Sequence, residues 1–349
     1  MRAKFNSFNQ AVRHAFGVVT CAVVVLLMAA TAPAQNLFES DSLSGNIYEF
    51  TPGGMRTNIA SGFSYVNGLA FDTAGNLFVS NFGYGSNNWN ITKITPGGAE
   101  NIFALINNPQ AVAFDSSGNL FVANGDPNTG LENITKIATN GTQSIFASGL
   151  IFANGLAFDR AGNLFVAYFL SQGGAIYKFT PDGAQSTFFS SASEYPAGLA
   201  FNGAGDLFVS DVLNNVIYKF ATNGTESIFA TGQFRPHGLA FDSSGNLFVG
   251  NYTNITEITP GGAQSVFASG LSLANGVAFQ PVPELAAAAT NGIIQVAVTM
   301  PSPYYSTIVQ VSTDMVNWTS VCTNTPPFTF TNSIDPTLPC RFYRALLGP

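Results

Sequence analysis

One fifteen-residue phrase recurs five times and confines this chain to a repeat architecture. It reads NGLAFDTAGNLFVSN from Asn67, QAVAFDSSGNLFVAN from Gln110, NGLAFDRAGNLFVAY from Asn154, AGLAFNGAGDLFVSD from Ala197 and HGLAFDSSGNLFVGN from His237. The starts lie 43, 44, 43 and 40 residues apart, which is the length of a propeller blade. Each unit breaks into four short apolar segments bounded by Gly, Asn and Pro. They are GLAF, then NLFVS after a DSSGN-type turn, then ITKITP or IYKFTP, then QSIFASG after a PGGA or TNGT turn. Such segments read as antiparallel strands joined by tight hairpins. They are apolar on both faces because each blade is covered by a neighbour on either side. Two columns of Phe follow the repeat, Phe71, Phe114, Phe158, Phe201, Phe241 and Phe279 on first strands, and Phe38, Phe78, Phe121, Phe165, Phe208 and Phe248 on second strands. They are expected to pack between blades.

The two ends of the array complement each other. Residues 36–61 supply second, third and fourth strands without a first, and NGVAF at 275–279 is a first strand with nothing after it. Joined, they complete a sixth blade and close the ring, which removes unpaired strand edges. A capped solenoid is the rival architecture, and it would leave both fragments unexplained. The expected fold is all-β: a six-bladed propeller over 35–280, a linker PVPELAAAAT at 281–290, and a small antiparallel β-sandwich-like module over 291–349.

Residues 1–34 read as a secretory signal peptide. Arg2, Lys4 and Arg13 precede an apolar run from Gly17 to about Ala30, and Ala32-Pro33-Ala34 offers a cleavage site. The run is shorter than the roughly 20 residues of a spanning helix. The expectation is a secreted, periplasmic or cell-surface protein with no membrane span after cleavage near Ala34. In such a compartment Cys322 and Cys340 favour a disulfide, worth roughly 3 kcal/mol for a loop of that size; two buried thiols are the alternative. Charged residues are 9% of the chain, and without the leader nine bases face 19 acids. So sparse and acidic a surface excludes nucleic acid as a partner.

First strands begin, and second strands end, on the same face of each blade, so both points are expected to gather at one mouth of the channel. The first ring is Asn67, Gln110, Asn154, Ala197, His237 and Asn275; the second is Asp41, Asn81, Asn124, Tyr168, Asp211 and Asn251. Loops at the same mouth add Tyr84, Trp89, Asp126 and Glu132, with Tyr65, Phe152, Tyr195, Phe234 and Arg235 just before the first strands. Amides interleaved with aromatics suit a neutral polar ligand, since amides pair with hydroxyls and rings stack on apolar faces. Against this, any single Asn at a strand end is also an ordinary turn residue.

The phrase GLAFDSSGNLFVSN…IYKFTPDG resembles the NHL-repeat and gluconolactonase/regucalcin-like six-bladed propellers, and the related streptogramin-lyase propellers, over about residues 36–284. The lactonase resemblance implies divalent-cation ligands before the Gly of the first strand. Asn67, Asn154 and Asn275 match the family's Asn positions, whereas its Asp and Glu have no first-ring counterpart here. Calcium or another divalent cation is thus the one cofactor left open, and none is firmly implied. The lyase resemblance implies His237 as a general base beside Asp211. The string STDMVNWT…FYRALLGP is similar to fibronectin type III-like C-terminal modules on exported proteins of Verrucomicrobia-type bacteria. The expected function is an exported, monomeric propeller that binds a neutral small molecule, a glycan or a protein at the channel mouth. The alternative is a lactone hydrolase or lyase acting at that mouth.

Overall fold

In the computed structural model the described residues are 35–281, apart from 84–87, 127 and 171–172. Beyond 283 they are 284–290, 293–299, 307–312, 317, 319–324, 328–333 and 342–347. The leader, Tyr84 and Cys340 lie outside them, and with Cys340 the disulfide. The chain divides between Val282 and Pro283 into two units.

The first unit is a six-bladed β-propeller of four-stranded antiparallel blades. Blade 1 shows the plan, with strands Val66–Phe71, Leu77–Asn81, Asn90–Ile94 and Glu100–Leu105. Blades 2 to 5 occupy 109–150, 153–191, 196–231 and 239–269. The sixth blade is the composite read from the sequence. Its first strand, Ala274–Phe279, pairs antiparallel with Leu37–Asp41, and Asn46–Phe50 and Arg56–Ala60 complete it. Gln35 Nε2 donates to the Gln280 carbonyl at 3.0 Å, and the Gln280 amide to the Asn36 carbonyl at 3.1 Å, so the two ends of the ring meet.

Three local rules build each blade. In blades 1 to 5 the first hairpin is held by an Asx turn. In blade 1, Asp72 Oδ1 accepts from the Ala74 and Asn76 amides at 2.9 and 2.8 Å, while Oδ2 accepts from Asn76 Nδ2 at 2.7 Å. Blade 4 exchanges the two residues, Asn202 and Asp206, and Asp206 meets Lys219 at 2.9 Å. The second rule is the Phe ladder. Each second-strand Phe meets the next blade's first-strand Phe edge to face, at 5.0 Å for Phe38–Phe71 and 4.9 Å for Phe248–Phe279, the arrangement that the ring quadrupole favours. The third is a bulge between third and fourth strands, present in all six blades. It pushes one extra residue inward, such as Phe103 onto Phe78 at 4.9 Å, and twists the outer edge away from edge-to-edge pairing.

The second unit contains two three-stranded antiparallel sheets. One is ordered Glu284–Thr290, Ile293–Thr299, Phe328–Ser333; the other Thr319–Asn324, Thr307–Ser312, Phe342–Leu347. The expected linker at 281–290 is therefore corrected, since from Glu284 it is a strand paired residue for residue up to Thr290↔Ile293. Asn291-Gly292 stands between those partners, and Asn-Gly is the strongest short hairpin signal in a sequence. Among the described residues no helix is long and apolar enough to cross a membrane.

Candidate functional site

All six first-ring residues, Asn67, Gln110, Asn154, Ala197, His237 and Asn275, line one central cavity of about 270 Å³. Two residues further along each first strand, Leu69, Val112, Leu156, Leu199, Leu239 and Val277 line it as well. The channel thus has a polar ring above an apolar one. In five blades the intervening residue is Gly, set by close approach between blades, and in blade 2 it is Ala111. A Cβ on Gly68 would stand 2.8 Å from the Gln110 carbonyl oxygen, and one on Gly198 would run into that of His237. Second-strand serines pin the same contact. Ser210 Oγ accepts from the Gly198 amide at 2.7 Å and donates to the His237 carbonyl of the next blade at 2.6 Å. Ser40 and Ser80 do the same for Asn67 and Gln110.

The polar ring is tied on one arc and open on the other. Asn275 Nδ2 donates to Asn67 Oδ1 at 2.6 Å, Asn67 Nδ2 to Gln110 Oε1 at 3.4 Å, and Gln110 Nε2 to Glu132 Oε1 at 3.4 Å. Glu132 is buried and also accepts from the Ala153 amide. Burial raises its pKa, against those two hydrogen bonds. Sequence reasoning placed Glu132 only in a loop. Its role as the anchor of the amide chain depends on the step from blade 2 to the first strand of blade 3. On the open arc Asn154 Nδ2 donates to the Phe152 carbonyl at 2.8 Å, which leaves Asn154 Oδ1 free to accept. Ala197 adds no polar group, and the His237 imidazole has no hydrogen-bond partner among the described residues. Burial, and then the Arg235 charge, lower the His237 pKa to about 4. The ring is therefore neutral at ordinary pH, one donor and one acceptor.

The second ring is not where it was expected. None of Asp41, Asn81, Asn124, Tyr168, Asp211 and Asn251 lines the central cavity. Second strands lie one strand spacing, about 4.8 Å, outside the first, and the side chains of Asp41, Asn81 and Asp211 at their ends hold the loops. Asp211 accepts from the Leu213 and Asn214 amides at 3.1 and 2.8 Å, and from the Tyr195 amide and Asn214 Nδ2 at 3.1 and 2.8 Å. Its carboxylate is saturated, so no Asp211–His237 pair forms. Asp41 accepts from the Ser44 and Ser272 amides. Asn81 accepts from the Ser64 amide, and Asn251 donates to Gln233, Asn254 and Thr256. Tyr168 stacks on Tyr177 at 4.7 Å.

The loop aromatics divide. Tyr65, with Phe82 and Leu273, lines the channel, while Phe152 and Phe234 are each 57% exposed. Trp89 lines a separate lateral groove together with Asn124. A feature that composition does not reveal is backbone strain at the mouth. The residue entering or just preceding the first strand has positive φ in five blades: Tyr65, Asn108, Phe152, Arg235 and Leu273. Non-Gly residues in that region cost of order 1 kcal/mol or more and cluster at binding sites.

The donor set does not fit a divalent cation. Such an ion needs several oxygens including carboxylates. Of the matched Asn ligands, Asn67 Oδ1 is taken by Asn275, and no carboxylate among the described residues lines the cavity. Among the described residues no group of three His, Cys, Asp or Glu side chains is placed to hold a metal.

No family model matches this chain, and no curated protein does. Solved structures share its fold. One provisionally described as a gluconolactonase matches with TM-score 0.55 at 15% identity, covering 76% of this chain and 95% of its own. A Xanthomonas campestris gluconolactonase gives 0.54 at 14%, covering 77% and 92%. Virginiamycin B lyase from Staphylococcus aureus gives 0.51 at 15%, covering 79% and 94%. At such identities the likeness is one of fold.

Proposed function

We propose that this chain is an exported, monomeric propeller that binds a small neutral ligand in the channel mouth. The observation that carries the reading is the joint one at the first ring. Six side chains share one small cavity, and the single titratable group among them, His237, is neutral. A ligand with hydroxyls on one edge and an apolar face fits both rings. Its hydroxyls meet Asn154 Oδ1 and the imidazole, and its apolar face meets the Leu and Val ring. At about 270 Å³ the cavity sits at the small end of ligand sites, which run roughly 300–1,000 Å³, so a single sugar ring or a lactone suits it better than a long glycan or a protein. Export rests on the leader pattern of 1–34, and the Cys322–Cys340 bridge and fibronectin-like module belong to the same reading.

A lactone hydrolase or lyase at this mouth is the second reading. It is favoured by an unpartnered imidazole in its basic form on the cavity wall, and by the fold shared with enzymes of those two names. A melting-shift screen of the mature chain against monosaccharides, aldonolactones and divalent cations separates the two. The binding reading expects a shift with a neutral ligand that survives chelator, is lost in Asn154→Ala and is weakened but not abolished in His237→Ala. Turnover of a lactone that disappears in His237→Ala replaces it with the enzyme. A shift that chelator reverses overturns the metal-free site.

A further inference from the structure

The lateral groove between blades 1 and 2 has a volume of about 530 Å³, larger than the channel cavity and within the usual range for ligand sites. One contributor to it is a position of the third strand. Blades 3, 4 and 6 carry Tyr there, as Tyr177, Tyr218 and Tyr48, whereas blade 2 carries Thr135. In blade 3 the tyrosine fills the space by stacking on Tyr168, with the two hydroxyls 2.9 Å apart. Blades 1 and 5 also carry threonine there: Thr92 Oγ1 donates to Asn90 Oδ1 at 2.7 Å, and beside Thr256 buried Gln233 packs into the network through Asn251 at 3.2 Å. In blade 2 the hydroxyl of Thr135 is turned to Asn124 Oδ1 at 2.6 Å and the space beyond stays open.

The walls of this space are chemically selective. Trp89 and Leu105, the latter 71% exposed, form the apolar side. Asn107 and Gln143 also line it, and among the described residues neither side-chain amide has a hydrogen-bond partner. None of the lining side chains is charged. An anion would find no cation there and a cation no carboxylate, so the groove selects against charged ligands. An indole with free amides about it offers stacking on an apolar ring face and paired donor and acceptor sites for vicinal hydroxyls. We propose that this groove is a second binding site, independent of the channel, for a neutral oligosaccharide.

The chain has two Trp, Trp89 and Trp318, so Trp318→Phe makes Trp89 the sole indole and its emission a direct readout. The mature chain in that background is titrated with neutral hexasaccharides of glucose, xylose, mannose and N-acetylglucosamine, and with an oligogalacturonate as the charged control. At least one neutral probe is expected to change Trp89 emission saturably, with Kd raised at least tenfold by Thr135→Tyr, which closes the groove with the residue of blades 3, 4 and 6. Asn107→Ala, a change at the groove wall, is expected to weaken the same probe severalfold, and Asn154→Ala in the channel to leave it unaltered. No response to any neutral probe overturns the proposal, as does equal binding of the oligogalacturonate, or an affinity that Asn107→Ala leaves unchanged.

Discussion

Glu39 is the residue least at home in this molecule. The second strand reads LFVSN, LFVAN, LFVAY, LFVSD and LFVGN in five blades but LFESD in the sixth, so a carboxyl replaces the Val that packs the core elsewhere. It is 0% exposed, and among the described residues neither carboxyl oxygen has a hydrogen-bond partner. Burial raises its pKa well above the usual carboxylate value. Nearby Asp41 adds to the rise and Arg56 opposes it. The folded state therefore holds the proton more tightly than the unfolded chain. Stability is intact below the unfolded pKa and falls as pH rises through the folded one. Glu39→Val should stabilise the protein by about 1–3 kcal/mol, with a larger gain at pH 8 than at pH 5 in urea unfolding. A loss of stability at pH 8 would show that the carboxyl has a partner. His237 acts in the opposite sense. Its folded pKa of about 4 lies below the ordinary value of 6.5, so its contribution is present above pH 6.5 and drains away as pH falls toward 4. His237→Gln should flatten the stability profile across that window.

At the level of the strand, the junction between first strands is the part most open to a single change. Gly198 lies against the His237 carbonyl, and Ser210 clamps both. Gly198→Ala must push blades 4 and 5 apart, and is expected to cost more than about 2 kcal/mol and to abolish channel binding with it. Ser210→Ala removes two hydrogen bonds for about 1–2 kcal/mol. Ala123, Ala167 and Gly250 occupy that place in other blades, so the fold tolerates the loss and only the melting temperature should fall. A Gly198→Ala protein that melts and binds like the parent would mean the blades are not in contact there. The strand scale also explains what could be read in advance. The repeat, the Phe columns and the first ring depend on period and pleat, which side-chain identity reports directly. The second ring went astray because the sequence places Asp211 at a strand end without revealing that the Tyr195 and Asn214 amides converge on it. Trp89 lies instead in the groove that Thr135 of the next blade also lines, a juxtaposition that the sequence does not reveal.

The whole ring depends on how its ends meet. Most of the unit is repeat, and each blade buries its faces only against neighbours, so stability rests on closure more than on any one blade. Closure here uses one strand from the C-terminal side, Ala274–Phe279, against three from the N-terminal side. Because Gln35 and Gln280 are hydrogen bonded, the seam is a matter of connectivity and not of geometry, and it can be moved. A permutant of 35–282 with the old ends joined by a short Gly/Ser link can be opened at the fourth-strand turn of blade 3. Gly183 there has φ +91, and a Cβ added to it would meet nothing within 4 Å, the kind of exposed turn that accepts new termini. The new seam would then lie between the third and fourth strands of blade 3, where the outer strand is the less buried partner. The permutant is expected to keep the β-sheet circular dichroism and the channel ligand of the parent, with a melting temperature lower by several degrees because the outer strand can now fray. The same 35–282 segment unpermuted should melt as it does in the full chain, since the unit ends at Val282. A permutant that aggregates while the unpermuted segment folds would show that the ring cannot be closed between the third and fourth strands of blade 3.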